Sequence, residues 1–366
     1  MKQIYDRCKI IIVARQAGTA NSFIPILKKL MEGRFAPAVI AYKHAYSILI
    51  DNYPSVFFVD SFNKAKPVLE GHNKVRFVLT GTSEDPVDDG RYWSWYKDKG
   101  IPTMSFVDSW VNYWQRFTSN TTGKTKFDLC PDYVAVIDDL MYQRMVENGC
   151  DEKRLVILGN PAFDNLNNYR DYEYFTDDKK QNNGQHNNYI LYISQLLSDI
   201  YGRNVKKIFG YTENEVLELL INVLEELGIK NRKIYNLVYK PHPRENLSEV
   251  EDHINFLSLN IKNVKIKFSK LTSSCDLIKN SKLVTGMTST LLYESMLMGR
   301  PVLSIQPNRR LGSDLTDGHS GINMVSNPRE LLPQMDNMIK GKSQKNQEIK
   351  HSNSTEKFIS FIASKL

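Results

Sequence analysis

The sequence predicts an α/β protein built from two domains of similar size, and three observations carry that prediction. Apolar runs of strand length recur along the chain and alternate with helical stretches, an order that implies βαβ units and parallel sheets. One polar interruption, NNYRDYEYFTDDKKQNNGQHNN at 167–188, is rich in Asn and Asp and almost free of aliphatic residues. It reads as a linker or surface loop. After it the same alternation restarts. The domains are therefore placed at 1–166 and 189–345, with the linker at 167–188 and a tail at 346–366.

In the first half, KIIIVARQAG reads as a strand entering a loop and NSFIPILKKLMEG as an amphipathic helix. APAVIAY, SVFFVD, VRFVLTGTS and TMSFVDSW are further strands. Between the last two, DPVDDGRYWSWYKDKG opens on Asp85-Pro86, a good cap and first-turn pair. PDYVAVID is a sixth strand, DLMYQRMVENGC a helix closed by Gly149, and RLVILGNP a seventh strand. In the second half, NYILYIS is a strand, and TENEVLELLINVLEELG a helix with Thr212 and Glu215 at capping-box spacing. KIYNLVYK, VKIKF, KLVTGM and RPVLSIQP are strands, the last being the final clear one. SSCDLIKNS, TSTLLYESMLMG and NPRELLPQMDNMI are helices. A polar tail from Lys340 to Ser354 precedes a last amphipathic helix, TEKFISFIASKL. That helix could dock on the first domain or meet a membrane face, and docking is favoured.

A chain of 366 residues, 41% hydrophobic and 24% charged, is ordinary globular material. It has no apolar run long enough to cross a bilayer. The short run CKIIIVA near the start reads as a strand and not as a signal peptide. Cys8, Cys130, Cys150 and Cys275 have no paired spacing, which argues against a zinc site or a disulfide framework and suits a reducing cytoplasm. The net charge of +7 favours an anionic substrate or an anionic membrane face. No basic helix, zinc finger or RNA-binding motif accompanies it, so no nucleic-acid partner is expected.

The most informative segment is KLVTGMTSTLLYESMLMGRPVLSIQP at 282–307. A strand ends at Thr285-Gly286 and a helix starts in Thr288, Ser289 and Thr290, whose hydroxyls can cap it. Its free N–H groups and positive dipole end make a phosphate site. Glu294 follows inside the helix, where a carboxylate can accept the two hydroxyls of a ribose. A second segment, LVYKPHPREN at 237–246, ends a strand in Lys240, His242 and Arg244 around two prolines. The prolines stiffen the turn, and the C-terminal ends of parallel strands are where ligands bind. A solvated polar turn is the plainer alternative.

These segments resemble the nucleotide-sugar half of GT-B glycosyltransferases and of the related UDP-N-acetylglucosamine 2-epimerases. PDYVAVIDDLMYQRMVENGCDEKRLVILGNPAFD at 131–164 is similar to them too, and the likeness spans roughly residues 8–310. The resemblance implies a GT-B fold: α/β, two Rossmann-like domains facing each other across a cleft. His-Pro turns at the same place in bacterial sialyltransferases and CDP-glycerol polymerases imply that His242 faces the donor phosphates, with Lys240 and Arg244 adding cationic character. Ser194 and Gln195, ending the first strand of the second domain, sit where such folds often touch the donor. Gly286, Thr288, Ser289, Thr290 and Glu294 complete the expected donor site.

Transfer to an acceptor needs a carboxylate base. One candidate is Asp89, in an Asp-Asp-Gly triplet that resembles the sialyltransferase motif but lies in an early helical turn instead of directly after a strand. Acids at a helix start are also ordinary dipole partners. The other is Asp108 in SFVDSWVNYWQRF, at a strand end, and it is preferred. The 2-epimerase resemblance would put a Glu-Ala-Gly-Leu-Arg stretch there, which this chain lacks. Trp110, Tyr113, Trp114 and Phe117 are read as helical turns forming an aromatic wall, with Asn112 and Arg116 on one face. Gly18, in the first βα turn, would line the acceptor side.

The reading that follows is a cytoplasmic, metal-independent glycosyltransferase, inverting, with no cofactor. It would move a sugar from a nucleotide-sugar donor to a glycan or lipid-linked acceptor of a polysaccharide, lipopolysaccharide or glycoprotein. Peripheral contact with the inner membrane face is a further partner. A nucleotide-sugar 2-epimerase or hydrolase, and a non-catalytic GT-B-like binding protein, are the alternatives.

Overall fold

The computed structural model describes residues 9–33, 35, 37–120, 125–169, 189–269, 273–310, 312, 314–341 and 353–366. Most of the expected linker (170–188), most of the polar tail (342–352) and Cys8 lie outside them. The chain separates into two units, residues up to 164 together with 351–366, and residues 165–350.

In the first unit the described strands are β1 (Ile10–Ala14), β2 (Ala38–Ala41), β3 (Phe57–Phe58), β4 (Phe77–Thr80), β5 (Thr103–Phe106), β6 (Tyr133–Val136) and β7 (Leu155–Ile157). They form one sheet in the order β3-β2-β1-β4-β5-β6-β7, parallel throughout. IIIVA, AVIA, FVLT and TMSF are buried at every position, the continuous apolar pattern that a sheet covered on both faces demands. The crossovers include helices α1 (Ala17–Glu32), α2 (Lys43–Leu49), α3 (Phe62–Glu70), α4 (Pro86–Lys97) and α5 (Asp139–Glu147). Helix α4 starts as expected, with Asp85 Oδ1 accepting from the Asp88 N–H at 3.0 Å, and Gly149 closes the turn after α5 at φ 101°.

In the second unit, β8 (Tyr189–Ile193), β9 (Tyr235–Lys240), β10 (Val264–Phe268), β11 (Ser281–Gly286), β12 (Val302–Ile305) and β13 (Ile322–Val325) form a second sheet, ordered β10-β9-β8-β11-β12-β13. It too is parallel throughout. The described helices are α6 (Leu197–Tyr201), α7 (Val205–Phe209), α8 (Glu213–Asn231), α9 (Leu247–Ser258), α10 (Ser274–Lys279), α11 (Thr290–Leu297) and α12 (Pro328–Ile339). The capping box of α8 is present with both of its hydrogen bonds. Strand β13 extends the sheet past RPVLSIQP. It is only four residues long and half-buried at its two middle positions, so its sequence carries little apolar signal.

Helix α13 (Ser354–Ala363) packs on the first unit. Phe358 meets Phe106 edge-on at 5.6 Å, Phe361 meets Tyr133 at 5.1 Å, and Lys29 pairs with Glu356 at 2.8 Å. Asp164 caps the helix from afar, accepting from the N–H groups of Ser354 and Thr355 at 2.8 and 2.7 Å. The segment after β5 departs from expectation. Residues 107–114 are turns and bends followed by a single 3-10 turn at Gln115–Phe117, because Asn112 sits at φ 58° and breaks helical propagation. Asn112 and Arg116 therefore share no helical face.

Removing the buried ring with Phe358→Ala should cost about 3–5 kcal/mol, and removing the distant cap with Asp164→Ala about 1 kcal/mol. Urea unfolding of both variants beside the parent chain measures this.

Candidate functional site

In each sheet the chain leaves the first strand towards one edge and later returns on its other side. The neighbouring loops that diverge there leave a crevice at the strands' C-terminal ends, the usual ligand position in open α/β sheets. In the second unit that point lies between β8 and β11. Gln195, just past β8, bridges to Thr288, just past β11. Its Oε1 accepts from the Thr288 N–H at 2.7 Å and its Nε2 donates to Thr288 Oγ1 at 3.1 Å. Ser289 caps α11, its Oγ accepting from the Leu291 N–H at 3.3 Å, and Thr290 opens the helix. At Gly286 an added Cβ would stand 3.0 Å from the Ile193 carbonyl, so a bare backbone is what lets β11 approach β8 here.

The loop after β9 lies beside them, since β9 pairs with β8 with Ile193 opposite Lys240. Glu245 holds this turn: it accepts from Ser194 Oγ at 2.9 Å, from Tyr239 Oη at 2.5 Å and from the His242 N–H at 2.8 Å. Nδ1 of His242 accepts from the Arg244 N–H at 3.2 Å, which leaves Nε2 to carry the proton of a neutral ring. Burial, then the Arg244 charge, pushes this imidazole below its ordinary pKa. The ring is thus a neutral hydrogen-bond donor rather than a standing cation. Arg244 is itself exposed.

Lys240 and Glu294 face one another electrostatically. Burial raises the Glu294 carboxyl to about 7, with Lys240 drawing it back down. Burial also lowers the Lys240 ammonium, offset by Glu294. The second unit thus brings together Ser194, Gln195, Lys240, His242, Gly286, Thr288, Ser289, Thr290 and Glu294. Glu245 and Tyr239, which organise the turn, were not singled out in sequence; a carboxylate three residues after His242 was the available signal.

In the first unit the corresponding point lies between β1 and β4. Asp108, just past β5, accepts from Thr19 Oγ1 at 3.2 Å and pairs with Arg116 at 3.5 Å. Arg116 also donates to Thr82 Oγ1, past β4, at 2.7 Å. Gly18 adjoins this group: a Cβ there would stand 2.7 Å from Asp108 Oδ2. Gly18, Asp108 and Arg116 therefore converge, joined by Thr19 and Thr82.

Three sequence expectations fall elsewhere. Trp110 is 1% exposed and donates its indole N–H to Asp138 at 3.0 Å, so its ring packs as core and presents no face to a sugar. Asn112 is exposed, away from any helical face. Asp89 is 3% exposed, bound by the Ser83 N–H and hydroxyl at 2.8 and 2.7 Å and by Arg15 at 3.1 Å. Burial lifts its carboxyl to about 6 against the pull of Arg15. Asp88 is committed as well, accepting from Tyr42 Oη at 2.6 Å. The Asp-Asp-Gly triplet thus fastens the loop after β4 to α4.

Among the described residues, no group of three His, Cys, Asp or Glu is placed to hold a metal ion, and no helix is long and apolar enough to cross a membrane. No protein-family model matches the sequence, and no curated protein matches it. Solved structures do. A UDP-GlcNAc 2-epimerase from Methanocaldococcus jannaschii superposes with a TM-score of 0.67 at 14% identity, covering 97% of this chain and 99% of its own. The Neisseria meningitidis UDP-GlcNAc 2-epimerase, bound to UDP-GlcNAc, gives 0.65 at 13% identity over 97% and 99%. A glycosyltransferase from Rickettsia africae gives 0.59 at 15% identity over 97% and 94%. The chain has the GT-B fold, two Rossmann-like α/β domains.

A carboxyl held at about 7 instead of an ordinary 4.5 binds protons better in the folded state than in the unfolded one. It therefore costs no stability below about pH 4.5 and erodes it as the pH rises towards 7. Glu294→Gln should remove that erosion. Chemical denaturation from pH 5 to 8 should show the variant gaining on the parent chain as the pH rises; parallel curves would contradict the assignment.

Proposed function

We propose that the second domain binds a nucleotide sugar and that the enzyme breaks the bond between the sugar's anomeric carbon and the nucleotide phosphate. One observation carries this: the loops after β8, β9 and β11 meet at the topological switch point, around the start of α11. A helix start supplies N–H donors to a phosphate. His242 Nε2 can donate to the same phosphate, and Lys240 balances its charge. Glu294, its carboxyl raised to about 7 by burial, accepts the ribose hydroxyls. Such fixed donors stabilise negative charge as it builds on a leaving phosphate.

The first reading is a nucleotide-sugar 2-epimerase or hydrolase, supported by the epimerases among the superposed structures. Inverting carbon 2 requires loss of its proton and cleavage of the bond from carbon 1 to the nucleotide phosphate, then return of a proton to the opposite face of carbon 2 as the phosphate rebonds to carbon 1 on its original face. Asp108, steadied by Arg116 and Thr19, is the carboxylate we assign to that proton. A second reading has its own support. The resemblance to 2-epimerases would place Glu-Ala-Gly-Leu-Arg where this chain carries Asp108-Ser109-Trp110-Val111-Asn112. Asp108 suits removal of an acceptor hydroxyl proton by a glycosyltransferase, with a surface glycan or a lipid-linked sugar as acceptor.

Incubation with UDP-GlcNAc and related nucleotide sugars in deuterated water, without an acceptor, separates the readings. An epimerase should incorporate deuterium at carbon 2 and form the epimer, and a hydrolase should release free UDP. A transferase should leave the donor intact until an acceptor is supplied. Asp108→Asn should lower turnover roughly 10²–10⁴-fold, the usual scale for a general base, while a nucleotide still raises the melting temperature. If no nucleotide raises it in either protein, the donor site itself is wrong.

Gly18→Ala tests the same carboxylate from a second direction. The added methyl would stand 2.7 Å from Asp108 Oδ2 and push that carboxylate aside, so turnover should fall tenfold or more with little loss of stability. Steady-state kinetics alongside a thermal melt would show it.

A further inference from the structure

Among the described residues, the three large apolar side chains most open to water lie at the N-terminal edge of the second sheet, opposite the candidate nucleotide site, with Ile234 beside them. Leu259 is 76% exposed, Phe256 70%, Ile229 66% and Ile234 47%. They come from the last turns of α8 and α9 and from the adjoining turns that lead on into β9 and β10. The turns are clamped together. The Tyr235 N–H donates to the Asn263 carbonyl at 2.8 Å, and Glu225 accepts from the N–H groups of Lys262 and Asn263 at 3.1 and 2.7 Å. Arg232 ends α8 in the left-handed conformation at φ 51°. Single exposed apolar residues are unremarkable, but a cluster on a fixed frame marks an interaction surface.

Charge identifies the partner. Residues 227–240 and 253–269 contain no Asp or Glu. Arg232, Lys233 and Lys262 are exposed on the turns, and Lys265 and Lys267 on the outer face of edge strand β10. Of the nearby carboxylates, Asp336 is engaged by Lys230 at 2.8 Å and Glu225 by the clamp, while Glu226 and Asp252 stand exposed about one helical turn before Ile229 and Phe256, outnumbered by the five cations. Apolar side chains within a basic field fit the interface of an anionic bilayer, where tails accept the former and headgroups the latter. A second copy of this chain fits poorly, since a self-complementary contact would press the same cations together.

We infer that the N-terminal edge of the second sheet, centred on Phe256 and Leu259, docks on an anionic lipid surface. This inference is independent of the reaction catalysed. A protein lying on that edge keeps the C-terminal ends of β8, β9 and β11 in water, open to a soluble nucleotide sugar.

The test is co-sedimentation of the full chain with vesicles of phosphatidylcholine alone or mixed with phosphatidylglycerol. The protein should pellet with the mixed vesicles only, less as salt rises. Arg232→Glu and Lys262→Glu should each weaken partitioning at least fivefold, the equivalent of about 1 kcal/mol per surface cation. Phe256→Ser with Leu259→Ser should weaken it tenfold or more. All of these side chains are exposed, and unchanged thermal melts would confirm intact folding. Absence of binding to mixed vesicles, or equal binding by parent and variants, would overturn the proposal. So would self-association that dissolves in the Phe256→Ser, Leu259→Ser variant, since a second copy would then cover the patch.

Discussion

Parallel pairing of β8 with β11 is the constraint on which the second domain's chemistry depends. Parallel strands cannot be joined by a tight turn, so each connection must cross a face of the sheet. Because β9 and β10 extend the sheet on one side of β8 while β11 opens the other side, the loops that follow β8 and β11 lead away from each other. The space between them cannot be filled by the chain's own crossovers. The Gln195–Thr288 pair spans it with two reciprocal hydrogen bonds, fixing the start of α11 while leaving the rest of its first turn free for a ligand.

Buried charge is handled differently at the two ends of the molecule's chemistry. In the first domain Asp88 and Asp89 are enclosed by Arg15, Ser83 and Tyr42, an arrangement that satisfies nearly every lone pair and leaves little for a substrate. Burying an ion is tolerable only when such partners repay its lost hydration. Glu294 lacks that enclosure. Its main electrostatic counterpart is Lys240, and desolvation outweighs it. A buried carboxyl with one lysine as its main counterpart keeps acceptor capacity that Asp88 and Asp89 have already committed.

The alternation of strands and helices was legible because both sheets are covered on both faces, so IIIVA or FVLT could be read without knowing their neighbours. Helix starts were legible where capping is local, as at Thr212 and Asp85. Strand β13 was not, since its identity comes from pairing with β12 and not from its own four residues. The positions of Ser194, Lys240, Gly286 and Asp108 at or just past strand ends were legible, since an apolar run marks where a strand stops. Aromatic residues misled: Trp110 has the composition of a sugar platform, and only the indole bond to Asp138 shows that it faces inward. The convergence of Thr19, Thr82, Asp108 and Arg116 joins loops up to 97 positions apart along the chain, beyond the reach of any local pattern. Asn112 turned a presumed helix into a bend through one backbone angle.

The return of α13 to the first domain gives this protein a delayed step in its biosynthesis. Asp164 and Ser354 meet across 190 residues, and Phe106 and Tyr133 are covered by rings that leave the ribosome only after the second domain has been made. Domains ordinarily fold as units in the order of their synthesis, yet here the earlier one must wait with an apolar stripe uncovered. Closing so long a loop is slow relative to local folding. The nascent first domain is accordingly the species most in need of a chaperone, and losing the last few residues would harm the oldest part of the chain rather than the newest.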